Sequence, residues 1–182
     1  MSNKETLPSS PNKKRLFFAL WPDDKVVQKI KQHAIKHFVN CQGRIVDKNN
    51  WHITLAYFGT ADENTQACLE EQAEKIQSQP FELDLKSLGF WKKPKAAWLA
   101  PQIIPVTLKQ LAFDIQQNLI SCAYEPEKRD YQPHVTLVKK AQQTPLTNEI
   151  QPIHWHVDEF CLVESKTFPT GVEYQIIKRW DL

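Results

Sequence analysis

Trp51-His52-Ile53-Thr54-Leu55 and Pro133-His134-Val135-Thr136-Leu137 are two copies of one pattern, His–aliphatic–Thr–aliphatic. Side chains alternate faces along an extended strand, so His52 and Thr54 share one face while Ile53 and Leu55 share the other. The same parity groups His134 with Thr136 against Val135 and Leu137. Each copy therefore reads as a strand that buries its aliphatic pair and offers its polar pair to a groove. From this composition one copy arises by chance in about one shuffled sequence per hundred, and two in roughly one per ten thousand. The signal lies in the repetition.

Working outward, the alternation of the first copy runs to Phe58 and stops at Gly59. Upstream, the aromatic-rich run from Leu16 to Trp21 predicts a buried strand, with order starting at Arg15. Pro22-Asp23-Asp24 ends it and supplies acidic groups to the first turn of a helix over 23–38. Ile45-Val46 reads as a short strand. A second helix is expected over 62–78, carrying Ala67, Leu69, Ala73 and Ile76. Phe81 to Leu85 alternates with period two and runs on toward Phe90, with Ala96 to Ala100 as its hairpin partner. Pro105 opens a third helix, whose apolar face holds Leu108, Leu111, Ile115, Leu119 and Ile120. A charged loop over 123–132 leads into the second copy. Residues 143–152 read as a polar connection, and 154–164 and 172–180 as final strands around the turn at Pro169-Thr170-Gly171. Hairpin-length links mixed with helices predict an α+β fold of mainly antiparallel sheet, not a doubly wound one. With only four glycines, each is expected where the backbone bends sharply.

If the two motif strands lie side by side or across a cleft, two imidazoles and two hydroxyls converge. That set suits a phosphodiester. Histidine titrates near neutral pH, so one ring can take a proton while the other gives one. The threonine hydroxyls can donate to non-bridging phosphate oxygens as charge builds. A cation beside the second motif would complete the site. Regular period two would put Lys140 on the face of His134 and Lys139 on the other, but the strand is expected to end there, so parity alone does not choose between them. The remaining histidines read differently. His154 and His156 share a face but lack a following threonine, which suggests a structural role, and His33 and His37 are expected to face solvent.

A chain of 182 residues suits one compact domain, or two small lobes on a shared core. A net charge of +2 is too small to indicate a long duplex as partner and fits one RNA end or a small anion. Cys41, Cys68, Cys122 and Cys161 show no C-x-x-C pair, so metal-ligand spacing is missing and four reduced cysteines are expected. Residues 1–14 are polar, with two prolines and no apolar run, and read as a disordered leader.

The residues quoted so far resemble the two-histidine (2H) phosphoesterase superfamily, and within it the bacterial RNA 2′,3′-cyclic phosphodiesterases, also called 2′-5′ RNA ligases. The likeness includes Arg15 to Leu20, Asn50 to Gly59, Pro133 to Leu137, Leu162 to Ser165 and Tyr174 to Trp180. It implies two pseudo-symmetric α+β lobes with outer helices, each giving one motif to a central groove, so that 15–182 form a single bilobal domain. It further implies metal-independent hydrolysis of RNA 2′,3′-cyclic phosphate ends to 2′-phosphates, without cofactor. His52 would protonate the leaving 3′-oxygen, His134 would activate water, and Thr54, Thr136 and Lys139 would hold the phosphate. The same roles reverse in 2′-5′ ligation. The family commonly has arginine where this chain has Lys139, which keeps the charge but loses the bidentate fork. Phe18 matches an aromatic position that can stack on the terminal base; it could equally be core. RNA 3′ ends or cyclic nucleotides, tRNA fragments among them, are the expected partners of a cytoplasmic monomer, with no membrane or protein partner. The competing readings are a non-catalytic nucleotide-binding module and a related enzyme acting on 2′-5′ oligoadenylate or a small cyclic nucleotide.

Overall fold

The computed structural model describes residues 13–169 and 171–182. Most of the expected leader, 1–14, lies outside the described residues, but Lys14 already opens the first strand, one residue earlier than read from the sequence. That strand, β1 (Lys14–Leu20), has five consecutive buried residues, as a strand covered on both faces must. Helix α1 (Asp24–His33) starts where the Asp23 carboxylate accepts a 2.7 Å hydrogen bond from the Val26 amide. It ends sooner than the apolar spacing suggests: the continuation, Ile35–Phe38, is a tighter 3₁₀ turn. β2 (Arg44–Ile45) and a 3₁₀ turn at Lys48–Asn50 lead to β3 (Ile53–Ala61), the strand of the first motif. Helix α2 (Glu63–Ala73), capped by Asp62, stops five residues short of the expected 78. The hairpin β4 (Phe81–Trp91) and β5 (Ala96–Pro101) follows, then α3 (Val106–Asn118), β6 (Val135–Lys139), β7 (Glu149–Val157), β8 (Glu159–Phe168) and β9 (Gly171–Asp181).

The expected single strand 154–164 is two strands. Nothing at Asp158 announces a break in the sequence, yet β7 pairs with β4 and β8 pairs with β1, at opposite ends of the sheet. The chain crosses from one half to the other there. Part of the expected polar connection, Glu149 onward, is the solvent-facing start of β7.

All the strand pairings described are antiparallel. The path runs β7-β4-β5-β6-β3-β1-β8-β9, with β2 added beside β6. Its middle joint is narrow: β3 and β6 meet at one residue pair, Ile53 opposite Val135. Beyond it the inner edge of β6 is taken over by β2, with Arg44 opposite Lys139 and Ile45 opposite Val138. The joint divides the sheet into β7-β4-β5-β6, with β2 beside β6, and β3-β1-β8-β9, and each part contributes one motif strand to it.

One apolar core spans both halves on the helical face, joining Ile30, Leu69, Leu108 and Ile115 to Phe18, Ile53, Leu55, Val135 and Leu137. A smaller cluster of Phe17, Ala19, Cys161 and Val163 lies on the opposite, groove face, with Trp21, Tyr174 and Ile176 packed on it. Cys68 on α2 and Cys122, in the 3₁₀ turn Leu119–Cys122 that continues α3, form a disulfide with a Cα separation of 5.8 Å, so the expectation of four reduced cysteines is corrected. The two helices lie side by side, a proximity that 54 residues of intervening sequence conceal. Cys41 and Cys161 are free and buried. No described helix is long and apolar enough to cross a membrane.

The glycines do not all mark bends. At Gly43 the need is for space: a Cβ would lie 2.6 Å from the Lys139 carbonyl oxygen, so only glycine lets the chain entering β2 close against β6.

Candidate active site

His52 and His134 each stand one residue before a motif strand, and each is held the same way. The ring Nδ1 of His52 lies 2.7 Å from the carbonyl oxygen of Asn50, and that of His134 lies 2.8 Å from that of Gln132. A carbonyl only accepts, so Nδ1 carries the donated proton and Nε2 of the neutral ring is left with its lone pair free. Antiparallel register at Ile53 and Val135 sets position 52 across from 136 and position 54 across from 134. Both motifs thus lay their polar residues on one face, each histidine opposite the other motif's threonine. Ile53, Leu55, Val135 and Leu137 are buried on the other side, as the alternation predicts.

The surroundings of the two rings differ. His52 is caged by aromatic side chains. Trp21 stacks on it at 5.2 Å between centroids and 4° between planes, Phe17 lies at 5.0 Å, and Tyr174 meets it edge-on at 5.1 Å. This burial lowers its pKa to about 4; the Asn50 carbonyl acts in the opposite sense, and the positive charges of His134 and Lys139 lower it further. His134 meets Trp91 edge-on at 4.5 Å, and burial, with the charge of Arg129, lowers its pKa as well. A cavity of about 1040 Å³ opens beside it, lined among others by Thr54, Tyr57, Trp91, Arg129 and Tyr131.

A β-bulge selects the lysine. β6 pairs with β5 as Thr136 opposite Trp98, then as Val138 opposite Ala97 and Lys139 opposite Ala96. Leu137 is the extra residue. It shifts the parity by one, returning Val138 to the core and turning Lys139 onto the face of Thr136. Lys140 has left the strand, with a positive φ of 56°. Burial lowers the pKa of Lys139, and so does the charge of Arg44.

Phe18 is not a stacking residue. It is fully buried, with Phe160 and Trp180 at 6.3 and 5.9 Å. Its neighbour Phe17 takes the groove face, because adjacent strand residues point opposite ways. Phe17, Trp21 and Tyr174 were not singled out in the sequence as groove residues: in a run apolar on both faces, alternation gives no contrast. Tyr131 was also missed. Its hydroxyl donates to the Thr54 carbonyl at 3.1 Å and ties the loop before the second motif to the first. His154 and His156 pair with Asp84 and Glu82 on the outer face of β7 and β4, at 2.5 and 2.6 Å. His33 is exposed and His37 half-buried.

The family model of the 2′-5′ RNA ligase superfamily matches residues 19–167. The RNA 2′,3′-cyclic phosphodiesterase of Escherichia coli K12 is 29% identical over 170 residues, covering 92% of this chain and 96% of the relative. The enzyme of the same name from Archaeoglobus fulgidus is 25% identical, over 90% of this chain and 98% of its own. Among solved structures, Escherichia coli LigT complexed with 3′-AMP superposes with a TM-score of 0.87 at 28% identity, covering 94% of this chain and 99% of that one. With two matched motifs on one groove face, a family match over most of its length and a shared fold, this chain is a two-histidine phosphoesterase and belongs to the 2′-5′ RNA ligase superfamily.

Proposed function

We propose that the protein hydrolyses 2′,3′-cyclic phosphate ends of RNA to 2′-phosphates by acid–base catalysis between His134 and His52. The observation that carries this reading is the matched suspension of the two rings. Each Nδ1 is bound to a carbonyl two residues back, so each Nε2 is available for proton transfer.

In the forward direction Nε2 of His134 takes a proton from water as the water oxygen attacks phosphorus. Negative charge gathers on the non-bridging oxygens, where the Thr54 and Thr136 hydroxyls and the Lys139 ammonium stabilise it. The bond from phosphorus to the 3′-oxygen breaks opposite the attacking oxygen, and protonated His52 gives that oxygen its proton. The product is a 2′-phosphomonoester with a free 3′-hydroxyl. Protons return to balance when His134 loses its proton and His52 regains one. With a 5′-hydroxyl in place of water as the nucleophile, the same groups in the same roles form a 2′-5′ bond.

His52 must be protonated to act, although its cage opposes this in the free enzyme. A bound phosphate supplies the missing negative charge, so substrate binding and proton uptake by His52 are coupled. The natural substrates are RNA 3′ ends such as those of tRNA fragments, met by a monomer in the cytoplasm. Hydrolysis of a 2′,3′-cyclic nucleotide and of a short RNA, followed in EDTA from pH 5 to 9, tests the reading. Turnover in chelator, a 2′-phosphate product, and its loss in His52→Ala and His134→Ala are expected. A 3′-phosphate product would reverse the leaving group. Nucleotide binding with no turnover would leave a binding module.

A further inference from the structure

Arg44 sits directly opposite Lys139 across the β2–β6 pair. Residues paired in this way point to the same face, and the Leu137 bulge has turned Lys139 to the groove. The guanidinium therefore stands beside the Lys139 ammonium on the face that carries His52, Thr54, His134 and Thr136. It also reaches the hairpin between β8 and β9: a Cβ placed on Gly171 would lie 3.9 Å from Arg44 Nη1. Among the described residues neither Arg44 nor Lys139 has a carboxylate within ion-pair distance.

Like charges directly opposite one another in a sheet are destabilising. Here the pair is built with care. Gly43 makes room for the chain to press against the Lys139 carbonyl immediately before Arg44, and the bulge spends one residue on re-aiming Lys139. A cross-strand pair of cations with no acidic partner among the described residues, beside two histidines, has the makings of an anion site.

We infer that Arg44 is a second phosphate-binding side chain of the active site, forming with Lys139 a two-cation clamp on the phosphate ester. This rests on the proposed function for the identity of the ester, though not for the anion site itself. The clamp divides two tasks that one residue after the second motif could otherwise perform. Lys139 supplies a point charge close to His52, and Arg44 supplies the planar fork that lysine lacks. Because hydrolysis turns a singly charged cyclic diester into a monoester of higher charge, the clamp also holds product more tightly than substrate.

The test is binding of inorganic phosphate to the full chain by calorimetry, in the wild type and in Arg44→Gln, Arg44→Lys and Lys109→Gln. Lys109 is an exposed cation on α3, and its loss makes the same change in net charge elsewhere. Arg44→Gln is expected to weaken phosphate about tenfold, or ~1.4 kcal/mol. Arg44→Lys should fall in between, and Lys109→Gln should match the wild type. Two further readouts separate binding from structure. Arg44→Gln should melt no lower than the wild type, since a repulsion is removed, and the Lys139 amine should titrate at higher pH in it. Equal weakening by Arg44→Gln and Lys109→Gln, or a lowered melting temperature, would overturn the clamp. If wild-type protein hydrolyses cyclic phosphates and Arg44→Gln changes neither phosphate affinity nor KM, the clamp fails and the proposed function stands. If phosphate affinity falls as expected but no cyclic phosphate is hydrolysed, the proposed function fails and the anion site stands.

Discussion

Replacing Trp21 by alanine should move the titration of His52 and, with it, the acid side of catalysis. In the folded protein the ring is held down to about 4 from an ordinary 6.5, chiefly because the aromatic cage keeps water from the imidazolium. At about 1.36 kcal/mol per pH unit, that difference is worth ~3 kcal/mol between the two protonation states. Trp21 stacks on one face of the ring, within 4° of parallel and with centroids 5.2 Å apart. Its removal lets water reach that face and should raise the pKa by roughly one unit or more. Histidine-labelled protein, titrated by NMR from pH 3 to 8, reads this directly. A wild-type His52 that titrates near 6.5, or a Trp21→Ala variant that leaves it unmoved, would refute the cage as cause.

The sign for stability follows. Between 6.5 and about 4 the unfolded chain binds the His52 proton and the folded chain does not, so stability falls as pH drops through that window. The contribution reaches ~3 kcal/mol below the window and vanishes above it. Catalysis inherits the same asymmetry. The pH profile of kcat/KM reports the free enzyme, where His52 is mostly neutral at pH 7, so kcat/KM should peak on the acid side of 6.5. The profile of kcat reports the complex, where phosphate favours the imidazolium, and should peak at higher pH. Coincident profiles would mean that bound phosphate does not recharge the ring.

Three further outcomes are expected. Lys139→Ala should raise KM for a cyclic nucleotide by about tenfold or more while Lys140→Ala leaves it unchanged; steady-state kinetics of the pair checks which lysine the bulge delivers. Tyr131→Phe should cost roughly 0.5–1.5 kcal/mol in urea unfolding, because it removes a part-buried hydrogen bond to the Thr54 carbonyl. Phe18→Ala should cost ~3–5 kcal/mol of stability as a core cavity, whereas Phe17→Ala, which opens the cage, should also raise the His52 pKa in the NMR titration.

What could be read from the sequence was set by periodicity. The motif strands alternate polar and apolar, so the face of each histidine followed from parity before any coordinates, whereas the meeting of the two strands that brings His52 and His134 to one face comes from the register at Ile53 and Val135. Leu16 to Trp21 is apolar throughout because both faces of β1 are covered, and parity then has nothing to work on. That is why nothing in the run separates Phe17, on the groove face beside His52, from Phe18, in the core. The break at Asp158 was illegible because the apolar residues run on past it with no glycine or proline between, and only their partners, β4 and β1, separate β7 from β8. The Cys68–Cys122 disulfide likewise depends on how two helices pack.

The bulge at Leu137 shows where pattern reading must stop and why the site needs it to. A regular β6 would place His134, Thr136 and Val138 on the groove face and leave Lys139 in the core with its charge unpaired. It would also hand the core a gap where Val138 now sits fully buried against Ala97. One extra residue resolves both conflicts: the valine returns to the apolar side and the lysine to the polar side. The same shift sets Lys139 across from Arg44, since β2 joins β6 only beyond the point where β3 has diverged. The narrow joint between the two halves is thus what brings two histidines, two threonines and two cations onto one face. A wider, regular pairing of β3 with β6 would leave no edge for β2 to occupy.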